Sequence, residues 1–140
     1  MRYDDTELDV YQVLTPRDMQ LTEQKAFQLG VPSLLLMEHA AIAVVDALEN
    51  ELGGNCQGKK VLFLCGTGNN GGDGLAAARL FVMRGGLAEI WLSGEPKTTD
   101  AKVHFAWCQA LNIRILNLWE MQAAEWPIKG EGPREHFDGY

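Results

Sequence analysis

Cysteine is scarce in this sequence, and the little there is does not pair. Cys56, Cys65 and Cys108 are three in number, form no CxxC and have no histidine at zinc-ligand spacing. That argues against a disulfide framework and against a structural zinc site. Reduced thiols in a cytoplasmic protein are the simpler reading. Positive charge is also in deficit: 12 Lys and Arg stand against 19 Asp and Glu, a net charge of −7. A field of that sign repels phosphate backbones and anionic lipid, so nucleic acid and membrane surfaces are poor partners. No apolar run approaches the roughly 18 residues that a spanning helix needs. The segment Met1-Arg2-Tyr3-Asp4-Asp5 lacks the apolar core of a secretory signal. An anionic small molecule survives these exclusions, because a local nest of backbone N–H groups overrides the global field.

What remains is a globular composition, 46% apolar and 22% charged over 140 residues, enough for one domain with a hydrophobic core. Thr15-Pro16-Arg17-Asp18 reads as a helix start, with Thr as cap, Pro in the first helical position and Asp facing the positive helix end. That helix is expected to stop at about Gly30, where glycine takes the left-handed conformation. Ser33 then caps a second helix running to Gly53-Gly54, apolar almost all round in its first half and so expected to be buried. Val61–Cys65 is a continuous apolar run, which suits a parallel strand covered on both faces. A glycine-rich loop, Gly66–Gly74, leads into a helix over Leu75–Arg84. A strand at Leu87–Leu92, a helix from about Thr99 to Leu111 and a strand at Ile113–Leu118 follow. This alternation predicts an α/β fold, a doubly wound Rossmann-like parallel sheet with right-handed crossovers and two amino-terminal helices packed on it. A short helix over Trp119–Trp126 is expected next. Residues 127–140 have no periodicity and read as a connection towards a fourth strand, and residues 1–13 as an amino-terminal extension. The expectation is therefore a partial domain, with one strand edge open to a second copy of the chain.

The loop Gly66-Thr67-Gly68-Asn69-Asn70-Gly71-Gly72-Asp73-Gly74 carries the candidate chemistry. The first strand–helix turn of such a sheet sets backbone N–H groups where ligands bind, and a helix amino terminus there favours phosphate. Glycine permits close approach, and Asn side chains offer both donors and acceptors. Gly66, Gly68 and Gly71 satisfy GxGxxG, a weak signal alone. An ordinary redox dinucleotide domain would also need an acid ending the second strand, where Glu95 beside Pro96 is the only candidate. A bare tight turn is the remaining reading, against which stand five glycines, two Asn and an Asp in nine residues.

Cys65-Gly66-Thr67-Gly68-Asn69-Asn70-Gly71-Gly72-Asp73-Gly74, together with Leu14-Thr15, Gly30-Val31-Pro32-Ser33 and Leu36-Met37-Glu38-His39-Ala40, resembles the YjeF amino-terminal domain family from Leu14 onward. Family members usually carry Pro where Thr67 stands and often Asn where His39 stands. The resemblance implies an isomerase, an NAD(P)HX epimerase that interconverts the R and S forms of hydrated NADH and NADPH in nicotinamide nucleotide repair. A fused or separate NAD(P)HX dehydratase is the partner it implies. It also implies that Asn69, Asn70, Gly71, Gly72 and Asp73 bind the substrate and that Asn70 is a ligand of a potassium ion. The catalytic acid and the other potassium ligands would lie after a fourth strand, beyond Tyr140, so that this chain alone is expected to have little activity. A non-catalytic nucleotide-binding or protein-interaction module of the same fold is the alternative.

Epimerisation at a carbon bearing hydroxyl beside a ring nitrogen proceeds most simply by loss of hydroxide and re-addition of water on the other face, which requires an acid. Asp73 is the acid in the loop, as a binding or capping residue or as a proton donor. Lys97 is a candidate for a substrate phosphate or a solvated surface lysine. His39, His104 and His136 have no plausible nucleophile beside them. His39 reads as a hydrogen-bonded core histidine. Cys65 reads as a small hydrophobe, and Trp107, Trp119 and Trp126 as core or edge cover.

Overall fold

The computed structural model describes residues 14–121. The extension at 1–13, the connection at 127–140 and most of the helix expected over Trp119–Trp126 lie outside the described residues. The chain divides into two units, residues 1–32 and residues 33–140. The first contains α1 (Pro16–Gln28), whose start is built as its sequence requires. The Thr15 hydroxyl oxygen accepts from the Asp18 N–H at 3.2 Å, and the Asp18 carboxylate accepts from the Thr15 N–H at 3.3 Å. A cap of this kind contributes about 1 kcal/mol. The helix stops where expected, with Gly30 at φ +85°.

The second unit runs α2 (Ser33–Glu51), β1 (Lys60–Cys65), α3 (Asn69–Met83), β2 (Leu87–Leu92), α4 (Thr99–Ala110), β3 (Arg114–Asn117) and a 3-10 turn at Leu118–Glu120. The three strands are parallel in the order β1-β2-β3, with Cys65 opposite Leu92 and Leu92 opposite Asn117. The Rossmann-like α/β class read from the sequence is what the structure has. Parallel neighbours joined in this order by right-handed crossovers put α3 and α4 on the same side of the sheet. Val61, Phe63 and Cys65 of β1 and Ile90 and Leu92 of β2 join the core with Phe81 of α3. The Phe63 and Phe81 rings lie 6.0 Å apart. Alternate residues face the other way, and Leu64 is 71% exposed. Among the described residues, then, β1 is covered on one face where its unbroken apolarity suggested two.

Two expectations about α2 change. It packs on α3, not directly on the sheet, because α3 already occupies the sheet face. It is also not buried all round: Met37, Ala41 and Val45, spaced by four, form its buried stripe, while Leu35 and Val44 are exposed. His39 lies outside that stripe and is exposed, so it is not a core histidine.

Candidate functional site

The glycine-rich segment begins at the carboxyl end of β1, but it is shorter as a loop than the sequence suggests. Only Gly66–Gly68 is irregular; α3 starts at Asn69 and absorbs the residues through Gly74. Glycine disfavours helix by about 1 kcal/mol, which is why the sequence reads as loop up to Leu75. The structure supplies the compensating reason. A Cβ on Gly71 would lie 2.0 Å from the Gly66 carbonyl oxygen, and one on Gly74 would lie 2.8 Å from the Cys65 Sγ. A Cβ on Gly72 would meet the Met37 Sδ at 2.8 Å and the Ala101 Cα at 3.2 Å. Gly71, Gly72 and Gly74 thus let the first turns of α3 press against the end of β1, against α2 and against α4.

Gly68 is the N-cap of α3, extended at φ −97° and without a side-chain cap. The N–H groups of Asn69, Asn70 and Gly71 belong to the first turn, which has no intrahelical acceptors. No Cβ placed on Gly66 or Gly68 would meet anything within 4 Å, so these two glycines leave open space beside the helix start. Asn69 and Asn70 are exposed, Gly71 and Gly72 buried, and Asp73 half-buried. Asp73 sits in the second turn of α3, so it is not the cap of this helix; Gly68 is. The proposed ligand segment therefore divides into exposed amide side chains and buried packing glycines.

The turn after β2 lies at the same end of the sheet and is tied to this segment. The Ser93 N–H donates to the Cys65 carbonyl at 3.0 Å, and the Lys97 N–H donates to the Thr67 carbonyl at 2.8 Å. A Cβ on Gly94 would stand 2.6 Å from the Thr67 Cγ2. Thr98 then caps α4, its hydroxyl oxygen accepting from the Ala101 N–H at 3.3 Å. Two helix amino termini, those of α3 and α4, so converge where the strands end, each with a partial positive charge of roughly half an electron. Lys97 is exposed between them and makes no ion pair among the described residues. Glu95 is exposed in the turn itself.

Beneath the segment the chemistry is quiet. Cys65 is 3% exposed and Cys108 fully buried, and burial pushes both thiols up to about 12. They are protonated and serve as small hydrophobes, the Cys108 thiol donating to the Leu75 carbonyl at 3.2 Å. Cys56 is buried too, and all three thiols are free. Sequence reasoning passed over a cluster one layer further in. The Arg79 guanidinium donates to both carboxylate oxygens of Glu38, at 2.6 Å to Oε1. It also lies 5.4 Å from the centre of the Trp107 ring, against which the buried His104 imidazole stands edge-on. The signal for it was the charged Arg79 in the apolar run of α3. No group of three or more His, Cys, Asp or Glu stands at metal-binding distance among the described residues. None of their helices is long and apolar enough to cross a membrane.

The family described as "YjeF-related protein N-terminus" matches residues 33–134. The bifunctional NAD(P)H-hydrate repair enzyme Nnr of Moorella thermoacetica is 32% identical over 111 residues, covering 78% of this chain and 21% of that protein. The NAD(P)H-hydrate epimerase of Roseobacter litoralis is 37% identical over 94 residues, covering 66% of this chain and 41% of that one. The crystal structure of yeast ynu0, YNL200c, superposes with a TM-score of 0.68 at 24% identity, over 82% of this chain and 51% of that chain, a likeness of fold. The chain's match spans 21% and 41% of the length of these two curated relatives. With the match covering most of its length, and the glycine-rich segment inside it, this chain belongs to the family of the YjeF-related protein N-terminus.

Proposed function

We propose that this chain binds hydrated NADH or NADPH at the carboxyl end of its sheet and acts in the epimerisation of that nucleotide, as an isomerase of nicotinamide nucleotide repair. The observation that carries the reading is the division of labour among the glycines. Gly71, Gly72 and Gly74 are explained by packing, whereas Gly66 and Gly68 border open space that packing does not explain. Glycines at positions where an added Cβ would meet nothing within 4 Å are best accounted for by a ligand that comes close to the backbone. Such a ligand would take the free N–H groups of Asn69, Asn70 and Gly71 and the exposed amides of Asn69 and Asn70, while Gly72, whose N–H already donates to the Gly68 carbonyl at 3.0 Å, and Asp73 lie behind that first turn. Its anionic part would benefit from the two converging helix termini despite the chain's net negative charge.

In this reading the chain's part in the reaction is to hold the hydrated ring fixed while hydroxide leaves one face and water returns to the other. An acid aimed at the leaving oxygen must give it a proton, so that it departs as water, and the resulting carboxylate must take a proton back from the water that adds to the other face. Asp73 is a half-buried acid in the second turn of α3. A potassium ion suits the donor chemistry of Asn70, whose amide oxygen is neutral and exposed, and Asn70 would be one of its ligands. When bound, the ion would supply positive charge next to the nucleotide. A cytoplasmic setting fits both the reduced, buried thiols and the substrate, and a dehydratase, fused or separate, would consume the product. The test is chromatographic conversion of the R to the S hydrate by the purified protein, with and without potassium. Hydrate that neither binds nor converts would overturn the reading in favour of a module that binds something else.

A further inference from the structure

The buried stripe of α4 consists of Ala101, His104 and Cys108, spaced so that all three face α3. Its two ends are fixed by close contact: the Ala101 Cα lies 3.2 Å from where a Cβ of Gly72 would stand, and Cys108 bonds the Leu75 carbonyl. His104 lies between them, fully buried, and neither ring nitrogen has a hydrogen-bond partner among the described residues. Its ring meets Trp107 edge-on at 5.1 Å and 89°. The other side of this neighbourhood is cationic, with Arg79 of α3 held against Trp107 and its Nε also unpartnered. Two acids face the group: Glu38 of α2, already committed to Arg79, and Asp100 in the first turn of α4. The helix that presses on the site's Gly72 is therefore seated through a buried imidazole that has a guanidinium near it and no hydrogen-bond partner among the described residues.

We infer that His104 is a positioning residue for the glycine-rich site: neutral, it seats Ala101 against Gly72, and when protonated it lifts α4 from α3 and loosens the start of α3. The inference rests on the proposed function for its consequence, weaker nucleotide binding in acid, but not for the coupling itself. Burial, then the Arg79 guanidinium, hold the imidazole below its ordinary value of 6.5, with Glu38 and Asp100 opposing. A group lowered in this way binds its proton more weakly in the native state than in the unfolded one. The stability and order tied to neutral His104 are thus complete above about pH 6.5 and are lost as pH falls below it. Each unit by which α4 seating lowers the imidazole corresponds to about a tenfold change in the ratio of seated to unseated states between the neutral and charged forms.

The experiment follows the Gly72 backbone amide and the His104 ring protons by NMR from about pH 8 to about pH 5, in the wild type and in His104→Phe. His104→Gln serves as a second variant that cannot charge in this range. The expected result is a Gly72 amide that moves with the midpoint of the His104 titration in the wild type and stays still in both variants. A Gly72 amide that holds its position over the whole range, or that moves as much in the variants, overturns the inference. Hydrated NADPH titrated at about pH 8 forms the second arm: failure of the wild type to bind there counts against the proposed function alone, since the coupling is read without ligand.

Discussion

The two classes of glycine at the site make opposite predictions for a single added atom group. Gly71→Ala places a Cβ at 2.0 Å from the Gly66 oxygen, 2.6 Å from its carbonyl carbon and 2.9 Å from its nitrogen, all backbone atoms. Reaching ordinary contact at 3.4 Å requires the start of α3 to retreat by 1.4 Å (3.4 − 2.0) from the end of β1. Overpacking costs typically 1–3 kcal/mol, and with no side chain able to rotate away the upper end applies, about 3 kcal/mol. For a chain of this size that lowers Tm by about 12 °C. Gly68→Ser has no neighbour to meet and puts a hydroxyl at an N-cap that lacks one, so Tm should hold or rise slightly. The same hydroxyl takes a first-turn N–H that a ligand would use, and affinity for hydrated NADPH should fall about tenfold, the worth of roughly one hydrogen bond to a charged group. Circular-dichroism melts and calorimetric titration on the two variants read both quantities. A Gly71→Ala protein melting within about 2 °C of the wild type refutes the packing argument. A Gly68→Ser protein that binds hydrate as well as the wild type refutes the assignment of open space to a ligand.

Three further outcomes are expected. Asn70→Ala, which removes the exposed amide proposed for potassium, should cost about 1–3 kcal/mol in nucleotide binding and flatten the potassium response of epimerisation; a response unchanged from the wild type removes Asn70 from the site. Glu38→Ala leaves the nearly buried Arg79 guanidinium uncompensated beside His104, and urea melts should show a loss of about 3 kcal/mol, the low end for a broken buried pair because Glu38 itself is 29% exposed. With thiols pushed up to about 12, Cys65 and Cys108 are almost wholly protonated at pH 8. At that pH iodoacetamide should leave both unlabelled in the native protein and label them once it is unfolded in urea, as followed by mass spectrometry.

Much of this arrangement was legible in the residues. Thr15, Pro16 and Asp18 state a helix start through side chains a few residues apart, and Val61–Cys65 states a strand through its apolar run; both are local signals, and both elements form. The start of α3 was not legible, because Gly71, Gly72 and Gly74 look locally like loop and become helical only through contacts with Gly66, Met37, Ala101 and Cys65. Two of those partners, Met37 and Ala101, come from other helices far along the chain, which a window along the sequence cannot join. The burial of α2 failed for a related reason. Its apolar residues were counted without knowing that α3 would take the sheet face and leave α2 a single contact stripe. His104 carried no motif at all, and its surroundings come from Arg79 and Glu38 on two other helices. Asn69 and Asn70, read as ligand groups from their position in the motif, are exposed at the site, and that placement was available from the sequence because the motif and the strand end coincide.

The central claim, that the segment from Gly66 to Gly74 is where hydrated nicotinamide nucleotide binds, is tested most directly by titrating hydrated NADPH into isotope-labelled protein and mapping the amide shifts. The account predicts saturable changes concentrated at Gly66–Asp73 and in the tied turn Ser93–Lys97. Shifts that gather instead at the opposite end of the sheet, around Lys59 and Lys60, or a spectrum that does not change, would contradict it.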